Sequence, residues 1–347
     1  MKNKLDSLFF TKKFVPKRHK FYFYTEQRQL RCSLLVSPPL RFGMEDIMII
    51  REQEPLTAHT TFRIGGPALY YLIPEGVDEV RDALQFARDR DLPFYVIGRG
   101  SNLLFEDDGY HGVVIEIGRG MEEVTMEDGP DGTVCVTAQA GIPLSTLAAK
   151  LAEEGCRGFE FAGGIPGTLG GAITMNAGAY GGEIRDCIKN ATVMTGSGEI
   201  RALDREQLEL GYRSSVIQKE DYIVLEGVFG FARGEKEAIL AAMKELNQRR
   251  RDKQPLEFPS AGSTFKRPEG YFAGKLIEDA GLRGYRVGDA QVSEKHCGFV
   301  INRGKASSAD VKQLIRDVQG QVREKFQVEL EPEVRIVTTG KSRQSEK

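Results

Sequence analysis

The stretch AGGIPGTLGGAITMNAGAYGGE, residues 162–183, packs eight glycines into twenty-two positions and carries one charged side chain, Glu183. Glycine has the most conformational freedom to lose on folding, so such a run needs a compensating reason. Three readings compete: a flexible linker, a packing bend, or a bare backbone wall against which something lies closely. A linker would be polar and featureless, whereas Pro166 and the apolar Ile165, Leu169, Ile173 and Met175 interrupt this one. Backbone stripped of side chains suits contact with a flat or phosphorylated ligand. A structural bend stays open on these residues alone.

About sixty residues upstream lies a second glycine-rich segment, VIGRGSN (residues 96–102), directly after the strand-like run PFYVIG. Its glycines let successive backbone N–H groups converge on one concavity, an anion nest, to which Ser101 and Asn102 add side-chain donors. No Gly-Lys-Ser/Thr follows, so it is not a P-loop, and it lacks the three-glycine spacing of a Rossmann turn. By itself it is equally read as a tight turn between strands. Two such segments in one chain make a dinucleotide-type cofactor the better reading.

The rest of the composition is that of an ordinary globular protein: 347 residues, 40% hydrophobic and 28% charged, long enough for two or three domains. No apolar run approaches the roughly 20 residues that a membrane span needs. The net charge of -2 is uneven: residues 1–43 hold ten Lys/Arg and two Asp/Glu, leaving 38 basic and 48 acidic residues for the remainder. An acidic body argues against a nucleic-acid surface. The basic segment has no apolar core with a small-residue cleavage site and is poorly amphipathic, which fits neither a secretory signal nor a transit peptide. Met44 opens MEDIMIIREQEPL, a natural start for a folded domain, so 1–43 is expected to be a disordered extension or a stretch upstream of the true start. Cys32, Cys135, Cys156, Cys187 and Cys297 show no CxxC spacing and read as buried thiols of a reducing cytoplasm. His19, His59, His111 and His296 are too dispersed for a metal site, and no metal is expected.

From Phe62 onward strand-like and helix-like runs alternate. Val77, Val80, Leu84 and Ala87 stand at helical spacing over 76–90; GVVIEIG and TVCVTAQ are β-rich; PLSTLAAKLAEEG is amphipathic with Gly155 as its stop. NATVMT, EIRAL and YIVLEGVF follow as strands, and the composition shifts near 233, where the helix GEKEAILAAMKELNQRRRDKQP begins. A second α/β unit is expected after it, with helices at AGKLIEDAGL and from Ser307 or Ser308, the latter carrying Val311, Leu314, Ile315, Val318 and Val322 on one stripe. A closing strand VELEPEVRIV would place Glu329, Glu331, Glu333 and Arg335 on one face, with Pro332 marking an edge. The expected fold class is α+β: a ligand-binding first half and a smaller α/β second half.

TTFRIGGPA, VIGRGSNLL, GFEFAGGIPGTLGGAITMNAGAYGGEI, GYRSS, PSAGSTFKRP and LEPEVRIV occur in the order seen in the UDP-N-acetylenolpyruvoylglucosamine reductase family, which this chain resembles over about residues 50–338. The resemblance implies a two-part FAD-binding domain of the vanillyl-alcohol oxidase type over 44–233, split near 110, a substrate-binding domain over 234–338 and a tail over 339–347. It implies non-covalent FAD held by Arg63, by Ile97, Gly98, Arg99, Gly100, Ser101 and Asn102, and by Gly163, Gly164, Ile165, Pro166, Gly167, Thr168, Gly170, Gly171, Asn176 and Gly178. NADPH would reduce the flavin, and the flavin would reduce UDP-N-acetylglucosamine enolpyruvate to UDP-N-acetylmuramate in peptidoglycan precursor synthesis, in a cytoplasmic monomer with neither nucleic-acid nor membrane partners.

Three positions match the family's catalytic residues. Arg213 would grip the enolpyruvyl carboxylate with a permanently charged fork. Ser263 would protonate the adjacent carbon. Glu333 would face the developing charge in a protonated or hydrogen-bonded state, because a bare carboxylate would oppose it. Taken singly, each has an ordinary structural alternative: a surface salt bridge, a turn serine and a solvated strand edge. Tyr180, Lys253, Lys266, Arg267 and His296 are the corresponding substrate-binding candidates; Arg267 and His296 depart from the Asn and Gln of some members. The short VIQKEDYIVLEGVF region leaves little room for the tyrosine-bearing loop of some members, so the loop-less type is expected. Another flavoprotein of the same fold, or a non-catalytic flavin-binding module, would keep the glycine-rich segments without needing Arg213, Ser263 and Glu333 together.

Overall fold

Hydrophobic patterning sorts the chain into three main sheets, to which the described residues add two two-stranded pairs. The computed structural model describes residues 48–129 and 132–340, together with the backbone of 23–24. The expected extension over 1–43 and tail over 339–347 thus lie outside the described residues, save 23–24 and 339–340.

The first sheet orders its strands β1 (Ile49–Pro55), β2 (Pro67–Ile73), β5 (Tyr110–Glu116) and β3 (Phe94–Ile97), with Phe23–Tyr24 beside β1. β1 runs antiparallel to β2, and β2, β5 and β3 run parallel. Strand β5 is apolar on both faces, as a parallel strand covered on both sides should be. Val113 and Ile115 meet α1 (Val77–Arg88) and its buried Val80, Leu84 and Phe86, while Tyr110 and Val114 join a second cluster on the opposite face.

The second sheet is antiparallel, in the order β9 (Ile200–Asp204), β8 (Ile188–Met194), β10 (Ile223–Arg233), β7 (Thr133–Gln139), β6 (Val124–Asp128). β7 alternates buried Val134, Val136 and Ala138 with half-buried neighbours, the period-two signature of a half-covered strand. Helix α2 (Leu144–Glu153) ends before Gly155, which takes the left-handed conformation at φ +66. The glycine-rich stretch is not a continuous loop. It contains the short helix α3 (Leu169–Met175), which lies on β10 so closely that a Cβ at Gly227 would stand 2.8 Å from Ile173 Cδ1. A one-turn helix α4 (Val216–Lys219) precedes β10, with only Glu220, Asp221 and Tyr222 between them.

Helix α5 (Lys236–Lys253) packs against α2 and the turn Glu160–Ala162. The third sheet follows, antiparallel in the order β11 (Ser260–Ser263), β14 (Phe299–Asn302), β13 (Ala290–Val292), β12 (Arg286–Val287), beneath α6 (Ala273–Asp279) and α7 (Ser308–Phe326). Ser307 caps α7: its Oγ accepts from Asp310 N at 3.0 Å and Asp310 Oδ2 accepts from Ser307 N at 3.0 Å. Val311, Leu314, Ile315, Val318 and Val322 are all buried beneath it. Architecture and order make the fold α+β, with a two-sheet first half and a smaller C-terminal unit.

The closing strand differs from its expectation. Pairing is confined to β15 (Arg335–Val337), which runs parallel to β4 (Leu103–Phe105) of the first half. Pro332 has no N–H to donate, and it makes only an isolated bridge with Phe265. Over this irregular segment the side-chain alternation breaks: Glu331 is 69% exposed and Glu333 12%. The four residues expected on one face therefore divide between solvent and interior.

Val337 of β15 packs into the cluster of Tyr95, Phe105 and Tyr110, whose rings meet edge to face at 5.9–6.3 Å. Phe105→Ala empties the middle of that cluster and should cost about 3–5 kcal/mol. Urea unfolding followed by far-ultraviolet circular dichroism measures it, and a loss under about 1 kcal/mol would mean that the cluster contributes little to the junction.

Candidate active site

Where the three sheets meet lies a cavity of about 1010 Å³. One wall is the turn after β3. Among the described residues, nothing accepts a hydrogen bond from the backbone N–H of Gly98, Arg99, Gly100, Ser101 or Asn102, all of which line the cavity. Unpaired donors in a concave turn form a seat for an anion. Gly100 sits at φ +58, and a Cβ there would stand 2.2 Å from the His59 carbonyl oxygen. At Gly98 a Cβ would stand 2.2 Å from Thr168 Oγ1. The two glycine-rich segments thus touch.

Of the predicted cofactor positions in the second segment, Gly164, Ile165, Pro166, Gly167, Thr168, Gly170, Gly171 and Gly178 line the cavity; Arg63 and Ile97 line it elsewhere. Gly163 and Asn176 do not. Gly163 faces α5, where a Cβ would stand 3.0 Å from Met243 Cε. Asn176 is fully buried, and its amide is engaged by protein: Nδ2 donates to Glu183 Oε2 and to Gly211 O at 2.9 Å each, and Oδ1 accepts from Arg185 N at 3.0 Å. It anchors the turn that presents Arg213. A Cβ at Gly167 or Gly171 would meet no protein atom nearer than 3.6 Å, so at these two positions the bare backbone faces open cavity.

The three predicted catalytic residues line the same cavity. Arg213, at φ +55, donates from Nε to Glu333 Oε1 at 2.5 Å, and its Nη2 makes a longer contact of 3.4 Å with Gly178 O. Glu333 is held by its backbone, whose N–H donates to Thr264 O at 2.8 Å, one residue from Ser263. Ser263 Oγ donates to Phe265 O at 3.3 Å, a long and weak bond. Burial raises the Glu333 pKa above its ordinary 4.5, against the opposing pull of Arg213 and Lys266.

Among the other candidates only His296 lines the cavity; burial lowers its pKa, and its Nδ1 accepts from Gly298 N at 3.1 Å. Lys266 pairs with Glu331, Arg267 stacks on Phe272 at 4.1 Å, and Tyr180 lies 5.9 Å from the Arg250 guanidinium. Lys253 is exposed at the end of α5.

Several lining residues were missed. Arg250 is buried and donates to Gly164 O, and its burial lowers its pKa; in the run of three arginines 249–251 only helix phase distinguishes it. His59 Nε2 lies 2.8 Å from Glu54 Oε1 and its Nδ1 lies 3.7 Å from Glu116 Oε2, which accepts from Tyr71 OH at 2.5 Å. Burial works against the charged imidazole, but the two carboxylates outweigh it and raise its pKa. Arg335 bonds Gln218. No short motif marks Arg250 or His59, and Arg335 stands in LEPEVRIV two residues after Glu333 without a role of its own there.

Residues 254–337 match the family model described as UDP-N-acetylenolpyruvoylglucosamine reductase, C-terminal domain. The UDP-N-acetylenolpyruvoylglucosamine reductase of Lachnoclostridium phytofermentans is 58% identical over 284 residues, 82% of this chain and 91% of that protein. The chain belongs to the UDP-N-acetylenolpyruvoylglucosamine reductase family. The reductase of Agathobacter rectalis is 53% identical over 293 residues, 82% of this chain and 93% of that one. The crystal structure of UDP-N-acetylenolpyruvylglucosamine reductase from Thermus caldophilus superposes with a TM-score of 0.71 at 34% identity, covering 84% of this chain and 100% of that one. Residues 68–204 match an FAD binding domain. As a member of this reductase family, the chain is an oxidoreductase with FAD as its cofactor. The nest of free N–H groups and the bare backbone at Gly167 and Gly171 fit a pyrophosphate-bearing, flat cofactor.

The raised Glu333 pKa carries a sign. A carboxyl whose pKa is higher folded than unfolded adds stability below about pH 4.5 that is lost as pH rises through the folded value. The advantage of the wild type over Glu333→Gln in urea unfolding should therefore shrink as pH rises from 4 to 8 (the usual range of such titrations, roughly). An advantage that grew with pH would mean that Arg213, not burial, governs the group.

Proposed function

We propose that this chain catalyses the NADPH-dependent reduction of UDP-N-acetylglucosamine enolpyruvate to UDP-N-acetylmuramate through FAD, as a cytoplasmic monomer. The observation that supports this best is the joint placement of Arg213, Ser263 and Glu333 in the lining of the cavity that also holds the N–H groups of residues 98–102, unpaired among the described residues.

FAD, when bound, supplies the hydride relay between NADPH and the enolpyruvyl group. The backbone of Gly98 to Asn102 would hold its pyrophosphate, and Gly167 and Gly171 would let the chain lie flat against it. The protein's own groups manage the charge and the proton. Glu333 fixes the Arg213 guanidinium through Nε, leaving the Nη groups to grip the enolpyruvyl carboxylate as electron density moves onto it. Glu333 itself, engaged by Arg213 while burial works against its charged form, meets that density as a hydrogen-bonded group and not as a bare like charge. The weakly bound Ser263 hydroxyl holds the proton for the carbon next to the carboxylate. Of the substrate candidates, His296 lines the cavity and is assigned to the UDP-sugar; Tyr180 and Arg267 would reach it only from outside the lining, as would Lys253 and Lys266, whose charge would serve its diphosphate or the phosphate of NADPH.

The purified protein should be yellow and should oxidise NADPH faster when the enolpyruvyl substrate is present; a colourless protein without substrate-dependent oxidation would overturn the proposal. Ser263→Ala separates the half-reactions. Stopped-flow absorbance should show flavin reduction by NADPH intact and substrate reduction slowed by about 10²–10⁴-fold. Equal loss of both would remove Ser263 from the proton-transfer role.

A further inference from the structure

We propose that Gln218 is a positioning residue that aims the guanidinium of Arg335 at the bound flavin, so that Arg335 neutralises the negative charge the ring gains on reduction. This rests on the assignment of FAD to the cavity and adds to it two residues outside the Arg213, Ser263 and Glu333 set.

Gln218 ties three walls together from α4. Its Oε1 accepts from Arg335 Nη2, and its Nε2 donates to Thr174 O at 2.5 Å and to Arg213 O at 3.3 Å. One neutral amide thus joins the last strand, the end of α3 and the Arg213 turn. Arg335 lines the cavity and, among the described residues, makes no ion pair with a carboxylate. The contrast with Arg213 decides its use. Arg213 is matched by Glu333 at 2.5 Å, so that pair is locally neutral, whereas the charge of Arg335 is left for a ligand.

The partner's chemistry points the same way. A carboxylate at position 218 would grip a guanidinium about twice as strongly as a neutral group, but it would cancel the charge. An amide orients the cation and leaves it whole. The surroundings of Arg335 belong to the cofactor side. Its N–H donates to Asn102 O at 3.0 Å, beside the nest, and Gln218 rests on Thr174 and Met175 of the glycine-rich wall. When the ring accepts a hydride, two electrons and one proton enter and its charge falls by one. A fixed cation in a site shielded from water favours that state.

The test is the two-electron midpoint potential of the FAD-loaded protein, by equilibration with reference dyes, beside flavin content and thermal unfolding. Gln218→Glu keeps the side-chain size and the acceptor for Arg335 and cancels its charge, at the loss of the bonds that Nε2 donates to Thr174 O and Arg213 O. Gln218→Met removes those same donated bonds without adding a charge and is the control. Arg335→Gln removes the charge; Arg335→Lys keeps it. Gln218→Glu and Arg335→Gln should each shift the reduced-to-oxidised preference about tenfold toward the oxidised form, a fall of about 30 mV, while Arg335→Lys stays within about threefold of wild type. A potential in Gln218→Glu no lower than in Gln218→Met overturns the inference, and should Arg335→Gln fail to fold, that pair of variants decides alone. A fall confined to Arg335→Gln overturns the role of Gln218. A fall in Arg335→Lys as large as in Arg335→Gln overturns charge as the cause. Wild-type protein that binds no FAD when reconstituted would instead fail the cofactor assignment itself, a different result from flavin bound at an unchanged potential.

Discussion

The parallel pairing of Arg335, Ile336 and Val337 with Leu103, Leu104 and Phe105 is the constraint on which the site depends. Those strands lie more than 230 residues apart, yet they bring the end of the chain against the turn that follows β3. Asn102 shows the consequence: its Nδ2 donates to Glu333 O at 3.0 Å, and its own carbonyl accepts from Arg335 N at 3.0 Å. The residue that closes the nest therefore also sets the backbone that carries Glu333. Closing so long a loop costs entropy that grows only slowly with length. The apolar cluster of Phe105, Tyr95, Tyr110 and Val337 is placed to offset it.

Charge inside the cavity is arranged by what each cation is paired with. Arg213 meets a carboxylate, Arg335 a neutral amide, and Arg250 a backbone carbonyl at Gly164. Desolvation penalises all three, and an ion pair relieves that penalty only for Arg213. Two guanidiniums without carboxylate partners among the described residues give the cavity a positive bias, although the chain outside its first 43 residues is acidic. Such a bias suits a ligand that carries phosphates and a carboxylate. The carboxylates of Glu54 and Glu116 lie near the nest, but they are bound to His59, Arg51 and Tyr71 and so do not face it as free charges.

Much of the fold was legible because it is periodic. Helices α1, α2, α5 and α7 and strands β3, β5, β7, β8, β9, β10 and β14 fall on runs whose apolar spacing or β-rich composition announces them. The edge pieces were not. Strands β4, β11, β12 and β13 span two to four residues, too few to show a period, and α3 hides among glycines that read as loop. For the site, ordered motifs located Arg213, Ser263 and Glu333, and the structure places all three in one cavity. Arg250, Gln218 and His59 stand outside those motifs, and Arg335 has no role within its own; Arg250, Gln218 and Arg335 act through partners far away in sequence. Gln218 alone meets Thr174 and Arg335, 44 and 117 positions distant.

The glycine-rich stretch illustrates how density misleads about purpose. Its glycines look alike in sequence, but most of them answer to neighbouring protein. Helix α5 crowds two of them, since a Cβ at Gly164 would stand 2.6 Å from Asn247 Oδ1 and one at Gly163 would press on Met243. Ala140 crowds Gly170 at 3.0 Å, and Glu183 crowds Gly178 at 2.8 Å. At Gly170 and Gly178 the crowding atoms are Cβ and backbone atoms that cannot swing away, so those two positions would need glycine even in a protein with no ligand, whereas at Gly163 and Gly164 the ends of side chains could yield. Gly167 and Gly171 are different. Protein packing leaves room there for a side chain, and what a methyl group would enter is the cavity itself. The wall is therefore thin for its own assembly and bare at two points for what it faces.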